Sequence, residues 1–443
     1  MTWSTTQAET LSADLSAVLQ GGGLPQDPAA LISLIGELER LKSAACAIQA
    51  DATVAYDAAR RREESEQRVP GRRQGRGVAA EVALARRESP HRGQTLVGLA
   101  KILHAEMPHT RARLSDGSLS EFRAILLVRE TACLSAEHRA FVDEEVCADP
   151  AALDGVGTRE LVARAKKAAY EIDPASVVRR ASNAESDRNV TVRPAPDTMT
   201  YLTGLLPVAQ GVAVHAALGR DADTLRAQGD SRGRGQLMAD LLVARVTGVD
   251  LVPEAPTPVP VLVNLTMSDS TLVGGHAPGQ VGADGVAPEV LPAEIARLLL
   301  SRSLTSEIGA WIRQLYVDHT GRLLGMTGKQ RFFAAGLADF IGQRDLGVCR
   351  TPFCDAPIRH RDHITPVGDG GATTADNGQG LCEACNHAKQ SPGWSQHVAD
   401  DLRHTVETIT PTGHRYRSTA PPPVGWREPR WVRERPGVYI LVA

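Results

Sequence analysis

The stretch "CRTPFCDAPIRHRDHITPVGDGGATTADNGQGLCEACNHAK", residues 349–389, carries four of the chain's seven cysteines. Cys349 and Cys354 enclose four residues, and Cys382 and Cys385 enclose two. Each spacing lets a pair of thiolates turn back onto one ion, and two such pairs supply the tetrahedral sulfur shell of a closed structural Zn2+ site. Four uncoordinated cysteines would leave this turn-rich, core-poor segment with nothing to hold its shape. The spacing therefore predicts a zinc staple.

A staple does not account for the residues between the cysteine pairs. Asp362 and His363 stand at the start of a short β-like run that ends at Pro366. Gly368, Gly370 and Gly371 then permit a tight reversal, and Asn377 precedes the second cysteine pair. Asn386 follows Cys385 directly and opens a short helical pattern that runs through Lys389. Strand, loop, strand and helix over a zinc make a ββα-metal arrangement. The order Asp-His, Asn, Cys-x-x-Cys-Asn and Lys resembles the HNH endonuclease motif (the His-Me finger) in its zinc-knuckle form.

That resemblance covers roughly residues 345–394. It implies an endonuclease that hydrolyses phosphodiester bonds to 5′-phosphate and 3′-hydroxyl ends. His363 is the candidate general base, because neutral imidazole near pH 7 takes a proton from water. Asp362 and Asn386 offer a carboxylate and an amide oxygen, which suit a hard Mg2+ or Mn2+ ion. His387 stands beside Asn386 and is the other candidate for the last ligand position. Asn377 would orient His363, as the family pattern implies, and Lys389 would meet the phosphate backbone or the transition-state charge. Adjacent residues on a strand point to opposite faces. Asp362 and His363 thus share one site only if the strand twists or the ion lies at its edge.

Outward from this module the chain reads as helical. "DPAALISLIGELERLKSAACAIQADATVAYDAARRREE", beginning at Asp27, has Leu31, Leu34, Ile35, Leu38, Leu41 and Ala45 at helical spacing over residues 28–66, with Asp27 before Pro28 as N-cap. Pro70 and its neighbouring glycines break the pattern at "RVPGRRQGRG". Shorter helices follow over 78–148. Two of them, around Ser89-Pro90, have the spacing of a helix-turn-helix, a geometry that ordinary packing also produces. Further helices are predicted over 158–171, 207–228, 234–247 and near 293–302.

The β-prone pieces are fewer. "NVTVRP" and "TMTYLTGLL" read as a hairpin about a Pro-Asp turn. "VPVLVNLTMS" reads as a strand, 270–292 as loop, and "WIRQLYVDHTGRLLGM" as a second hairpin. "GKQRFFAAGLADFIGQRD" is expected to lead as a helix into the cysteine module. "VETITPTGHRYRST" forms a hairpin in this reading, and the segment from Ala420 an irregular extension. The fold class expected is mainly α with a small mixed α+β region and a C-terminal ββα-metal module. The expected domains are 1–174, 175–330, 340–395 and 396–443.

The long first helix, "LSDGSLSEFRAILLVRETACL", "RGQLMADLLVARVTG" and the "TPTGHRYRS" tail resemble the 13E12-repeat HNH endonuclease family. In that family a large N-terminal domain of unknown function precedes the nuclease module.

The 443 residues exceed the size of one growing core, and 42% hydrophobic with 23% charged residues is a globular composition. No run approaches the roughly 18 apolar residues of a membrane span. The first twenty residues lack the basic and apolar regions of a signal peptide. Cys46, Cys133 and Cys147 lie on helical patterns and read as small buried hydrophobes, a usage that suits a reducing cytoplasm.

A formal charge of −3 leaves nucleic-acid affinity to local patches. Residues 60–92 hold ten arginines against five glutamates, and 403–435 hold seven against three with Tyr416, Trp426 and Trp431 interleaved. The first cluster reads as a solvated helix face. The second, beside the module, is the stronger phosphate-binding candidate. DNA is the expected partner, and a homodimer would supply two cutting sites. The competing class is a zinc-module binding or adaptor protein without catalysis.

Overall fold

The computed structural model describes residues 4–21, 24–197, 199–248, 264–283, 286–304, 327–328, 335–422, 430–435 and 438–442. The chain begins with helices α1 (Thr5–Gly21), α2 (Pro28–Glu66), α3 (Val78–Arg86), α4 (Pro90–Ala105) and α5 (Pro108–Ser115). Helices α6 (Glu121–Glu130), α7 (Ala136–Cys147), α8 (Thr158–Ile172) and α9 (Pro174–Ala184) follow. Two compact units emerge that do not follow chain order. One joins Met1–Glu63 to Leu96–Arg180, the other Glu64–Thr95 to Ala181–Ala443.

The first unit is helix packed on helix. Leu96, Leu99, Ala100 and Leu103 recur at the spacing of one helix face on α4 and are all buried, with Leu103 fully enclosed. On α8, Leu161, Ala165, Ala168 and Ala169 form the buried stripe, and their small side chains let neighbouring backbones come close. The N-terminus of α5 lacks a capping residue of its own, since Met107 stands there. Asp143 from α7 takes the role, accepting from His109 N at 2.7 Å and Thr110 N at 2.8 Å.

Helix α2 spans the expected residues, and Ala30 N donates to the Asp27 carboxylate at 2.9 Å. Its apolar pattern overstates the core, however. Ile32, Ile35 and Leu38 are 70%, 62% and 41% exposed, and the helix becomes buried only from Ser43 and Ala47 onward. Of the three cysteines expected in helical cores, Cys147 is buried while Cys46 and Cys133 are half-buried.

The second unit adds small antiparallel sheets. β1 (Asn189–Ala195) and β2 (Met199–Leu205) form the expected hairpin, followed by α10 (Val208–Ala227) and α11 (Arg234–Thr247). β3 (Asn264–Thr266), a one-turn α12 (Asp269–Leu272), β4 (Gly279–Ala283), β5 (Val286–Leu291) and α13 (Ala293–Leu304) come next. The region 270–292 is therefore not loop: β3, β4 and β5 make one sheet. Glycine helps here rather than breaks, because a Cβ on Gly279 would come within 2.8 Å of Ala296 on α13. The hairpin expected over 311–326 lies outside the described residues.

Around the cysteine module the order is β6 (Thr327–Gly328), α14 (Ala335–Arg344), β7 (His360–His363), β8 (Thr373–Thr374), β9 (Gly378–Leu381) and α15 (Glu383–Lys389). The expected helix from Gly328 is shorter at its start, since Gly328 pairs with Thr373 in the β6–β8 ladder. β10 (Ser395–Ala399), β11 (Thr405–Ile409) and β12 (Arg415–Thr419) form a three-stranded sheet, with the expected Thr-Pro-Thr-Gly turn between the last two. β13 (Arg430–Arg435) and β14 (Val438–Val442) pair as a hairpin where irregular chain was expected. The β-branched and aromatic run "VYILV" explains it.

Candidate active site and metal centre

The cysteines converge as their spacing required. All four are buried, and their sulfurs lie within 4.8 Å of one another. The first pair sits on a closed loop in which Cys349 N donates to Ala356 O and Cys354 N to Thr351 O. The second pair belongs to α15. Cys382 is its N-cap, and its sulfur accepts from Cys385 N at 3.4 Å.

Cys354 and Cys382 sulfurs are 3.8 Å apart, and a tetrahedron with arms of ~2.3 Å has edges of about that length. The donor chemistry fits too. Hydrogen bonds from the neighbouring thiols hold Cys382 far down as a thiolate, while the same crowding pushes Cys354 and Cys385 up. Four thiolates at this distance need a cation among them. The residues present fit Zn2+.

Over this staple, β7 and β9 pair antiparallel, with Asp362 opposite Gln379 and His363 opposite Gly378. Asp362 and His363 end the strand rather than start it, which corrects the sequence reading. Asp362 is half-buried and His363 buried at this end of the strand. Asp362 Oδ2 accepts from Lys389 Nζ of α15 at 2.5 Å, and Lys389 also donates to the His363 carbonyl. The His363 ring is 8% exposed, and its Nε2 lies 2.8 Å from Thr373 Oγ1 on β8. Burial holds this imidazole below its ordinary pKa, with Lys389 adding to the effect against Asp362.

Asn377 clamps the intervening loop. Its Oδ1 accepts from Thr365 N at 2.9 Å, and its Nδ2 donates to Thr365 O at 3.0 Å and Ala372 O at 2.8 Å. Two glycines make the clamp possible. Gly370 has φ +89°, and a Cβ on Gly371 would come within 1.9 Å of Thr365 O. The two candidates for the last ligand position differ in setting: His387 faces solvent, whereas the Asn386 amide oxygen is buried with no hydrogen-bond partner. His360 is exposed, as expected of a solvent-facing strand residue.

Sequence reasoning missed three residues here. Thr373 holds the His363 ring. Arg344, 5% exposed at the end of α14, donates to Ala375 O at 2.7 Å and Gly378 O at 2.8 Å, on either side of Asn377. Asp345, 2% exposed, takes Arg344 through both carboxylate oxygens and accepts from Gly380 N at 2.8 Å. An Arg-Asp dipeptide at a helix end reads as solvated charge, and nothing in the local pattern marks it otherwise.

The family described as a domain of unknown function (DUF222) matches residues 38–345, well over half of the chain. The chain belongs to the DUF222 family. The HNH endonuclease family matches residues 347–391 of this DUF222 protein, over the four-cysteine cluster and the β7–β9–α15 site. The architecture is thus a DUF222 domain followed by an HNH domain of nuclease type. Neither a curated protein nor a solved structure matches the chain. Among the described residues no helix is long and apolar enough to cross a membrane.

Proposed function

We infer that this DUF222 protein is a metal-dependent HNH endonuclease acting on DNA. The observation that carries the reading is the orphaned Asn386 Oδ1 on the same helix that brings Lys389 to Asp362. A buried amide oxygen without a partner is costly and marks a place where a ligand belongs. Asp362 and Asn386 would hold one Mg2+ or Mn2+ ion, which as a Lewis acid stabilises negative charge on the phosphate and its leaving oxygen. Among the residues on helix α15, the exposed His387 is the poorer ligand.

The chain's own side chains do the rest. In the tautomer whose Nε2–H donates to Thr373, the imidazole lone pair of His363 falls on Nδ1, which would take the proton of the attacking water. The water oxygen bonds to phosphorus as the bond to the 3′-oxygen breaks, and the departing 3′-oxygen takes a proton from solvent, leaving 5′-phosphate and 3′-hydroxyl ends. Asn377 keeps the loop after His363 in register. Lys389 is a positioning residue that holds the Asp362 carboxylate, rather than a phosphate ligand. One site cuts one strand, so a double-strand break takes two protomers or two visits. Within DUF222 we place the chain with the 13E12-repeat endonucleases, and its unbridged thiols suit a reducing cytoplasm.

Plasmid nicking with Mg2+ or Mn2+ tests this. Wild type should nick, while His363→Ala should keep its zinc and its fold and lose on the order of 100-fold or more in rate. A wild type that never cuts with either ion, or a His363→Ala variant that cuts as fast, ends the enzymatic reading in favour of a binding module.

A further inference from the structure

Residues 67–77, "QRVPGRRQGRG", hold four arginines and no acid. They belong to the same compact unit as the HNH domain. The segment is a built loop rather than a helix face. Arg68 N donates to Ser65 O, Val69 N to Glu64 O, and Gln74 Nε2 to Val69 O at 2.8 Å. Gly71–Arg73 makes a single 3-10 turn, and Gly75 N donates to the buried Glu64 carboxylate at 2.6 Å. Arg68, Arg72, Arg73 and Arg76 are all exposed, and among the described residues none forms an ion pair. Glu66 is the exposed acid nearest in sequence.

The loop feeds straight into α3, which meets the HNH domain and the sheet that follows it. A Cβ on Gly77 would come within 2.6 Å of Trp394 Nε1. Glu81 accepts from Thr412 N at 3.2 Å and from its hydroxyl. Ala80, Ala83 and Leu84 of α3 line one recess with Ala388 and Lys389 of the candidate catalytic helix. The other arginine cluster is differently disposed. Arg415 and Arg417 lie 3.1 and 3.2 Å from the carboxylate of buried Glu407, which His397 also meets at 2.9 Å. Part of their charge is already answered within the sheet.

We propose that Arg68, Arg72, Arg73 and Arg76 form a binding track for the phosphodiester backbone of duplex DNA, set by α3 beside the HNH site. Guanidinium forks match phosphate oxygens, and a loop closed by its own hydrogen bonds loses little entropy when it binds. Because the chain is acidic overall, attraction to a polyanion has to be local. The proposal rests on the reading of the HNH site as one that acts on DNA.

The test measures anisotropy of a fluorescent duplex across a salt series, with full-length zinc-loaded His363→Ala protein and no Mg2+. Adding Arg72→Gln, Arg73→Gln and Arg76→Gln should weaken binding at least about tenfold and lower the log–log salt slope by ~2.7, since each phosphate contact contributes ~0.9. The triple Arg→Lys variant should keep the slope. Arg415→Gln with Arg417→Gln should change it by less than about half a unit. On the active-site wild type, the three Gln substitutions should slow plasmid nicking but leave hydrolysis of bis(p-nitrophenyl) phosphate unchanged. An unaltered slope in the loop variant, an equal loss in the sheet variant, or a parent that binds no duplex overturns the proposal. Duplex binding by the parent together with an active-site wild type that never nicks overturns the nuclease reading and leaves this one standing.

Discussion

The helical unit and the HNH domain reach a fixed structure by opposite means. Between α4 and α8 the largest fully buried side chains include Leu103, Met107, Leu114, Leu119, Leu127 and Leu161, packed into one apolar cluster. In the HNH domain the cluster under β9 is four cysteines with Leu381, and above it the chain is pinned by Asn377, Arg344 and Asp345. Burial of apolar surface is tolerant, because each leucine adds a share and neighbours adjust. Pins and metal ligands are not, because each holds a particular atom at a particular place. A site that positions a water and a phosphate has use for the second kind of construction.

The sharpest way to break this contrast is to remove the zinc. Binding of a structural zinc is worth on the order of 10–16 kcal/mol, and that energy is folding energy. Cys382→Ser, or stripping by a chelator, should abolish hydrogen-exchange protection at Gly378 and Leu381. Amides of α4 and α8 should stay protected. If β9 remains protected in zinc-free protein, the pins suffice alone and the contrast is false.

Arg344 offers the next largest effect. Arg344→Ala leaves Asp345 buried with its main counter-charge gone and frees the carbonyls of Ala375 and Gly378. Breaking a buried pair in this way costs about 3–5 kcal/mol. The urea midpoint of the HNH domain should fall accordingly, and nicking should fall with it. Arg344→Lys should recover little, since one ammonium cannot reproduce a fork that serves a carboxylate and two carbonyls. Full stability in the alanine variant would make the pin ornamental.

A smaller effect comes from pH. His404 is 6% exposed, and burial, with the Arg344 charge adding, pulls its pKa from 6.5 to about 4. The unfolded chain therefore binds the extra proton between these values, so stability falls as pH drops from about 6.5 to 4 and levels off below. The loss is about 3 kcal/mol over that window. Urea midpoints across this range should slope in wild type and flatten in His404→Gln. The Leu-packed helical unit lacks this group and should not share its slope.

The contrast also marks what could be read from the chain. Helical spacing located α2, α8, α10 and α11, and cysteine spacing located the four-sulfur cluster, because both are short-range regularities. The pattern overreached at Ile35 and Leu38, where spacing alone cannot tell whether a partner covers the face. In the candidate site, the order of the motif singled out Asp362, Asn377, Asn386 and Lys389 as expectations. Arg344 and Thr373 were not, since their roles exist only after residues 31 apart (Arg344 and Ala375) and ten apart (Thr373 and His363) have met. The first arginine cluster was read as a helix face, and Arg68, Arg72, Arg73 and Arg76 sit instead on the loop after α2. Its distinction from a helix face depends on the turn after Pro70 and on the company α3 keeps.

Asn377 gives the finest test of the difference between packing and pinning. Its amide makes three hydrogen bonds to the backbone of one loop, and none is to substrate. Asn377→Ala should cost about 1–3 kcal/mol, the price of leaving two carbonyls and one amide without partners. A leucine truncated in the helical core costs a comparable amount but changes no geometry at the site. For Asn377→Ala, kcat for nicking should drop while KM stays near wild type, because the loop that carries the chain from His363 to Thr373 loses its register. Asn377→Asp keeps the acceptor for Thr365 N and loses both donors, so its rate should fall between the two. If Asn377→Ala loses stability but keeps kcat, the loop is held by the glycine turn and the β7–β9 ladder, and Asn377 belongs with the leucines.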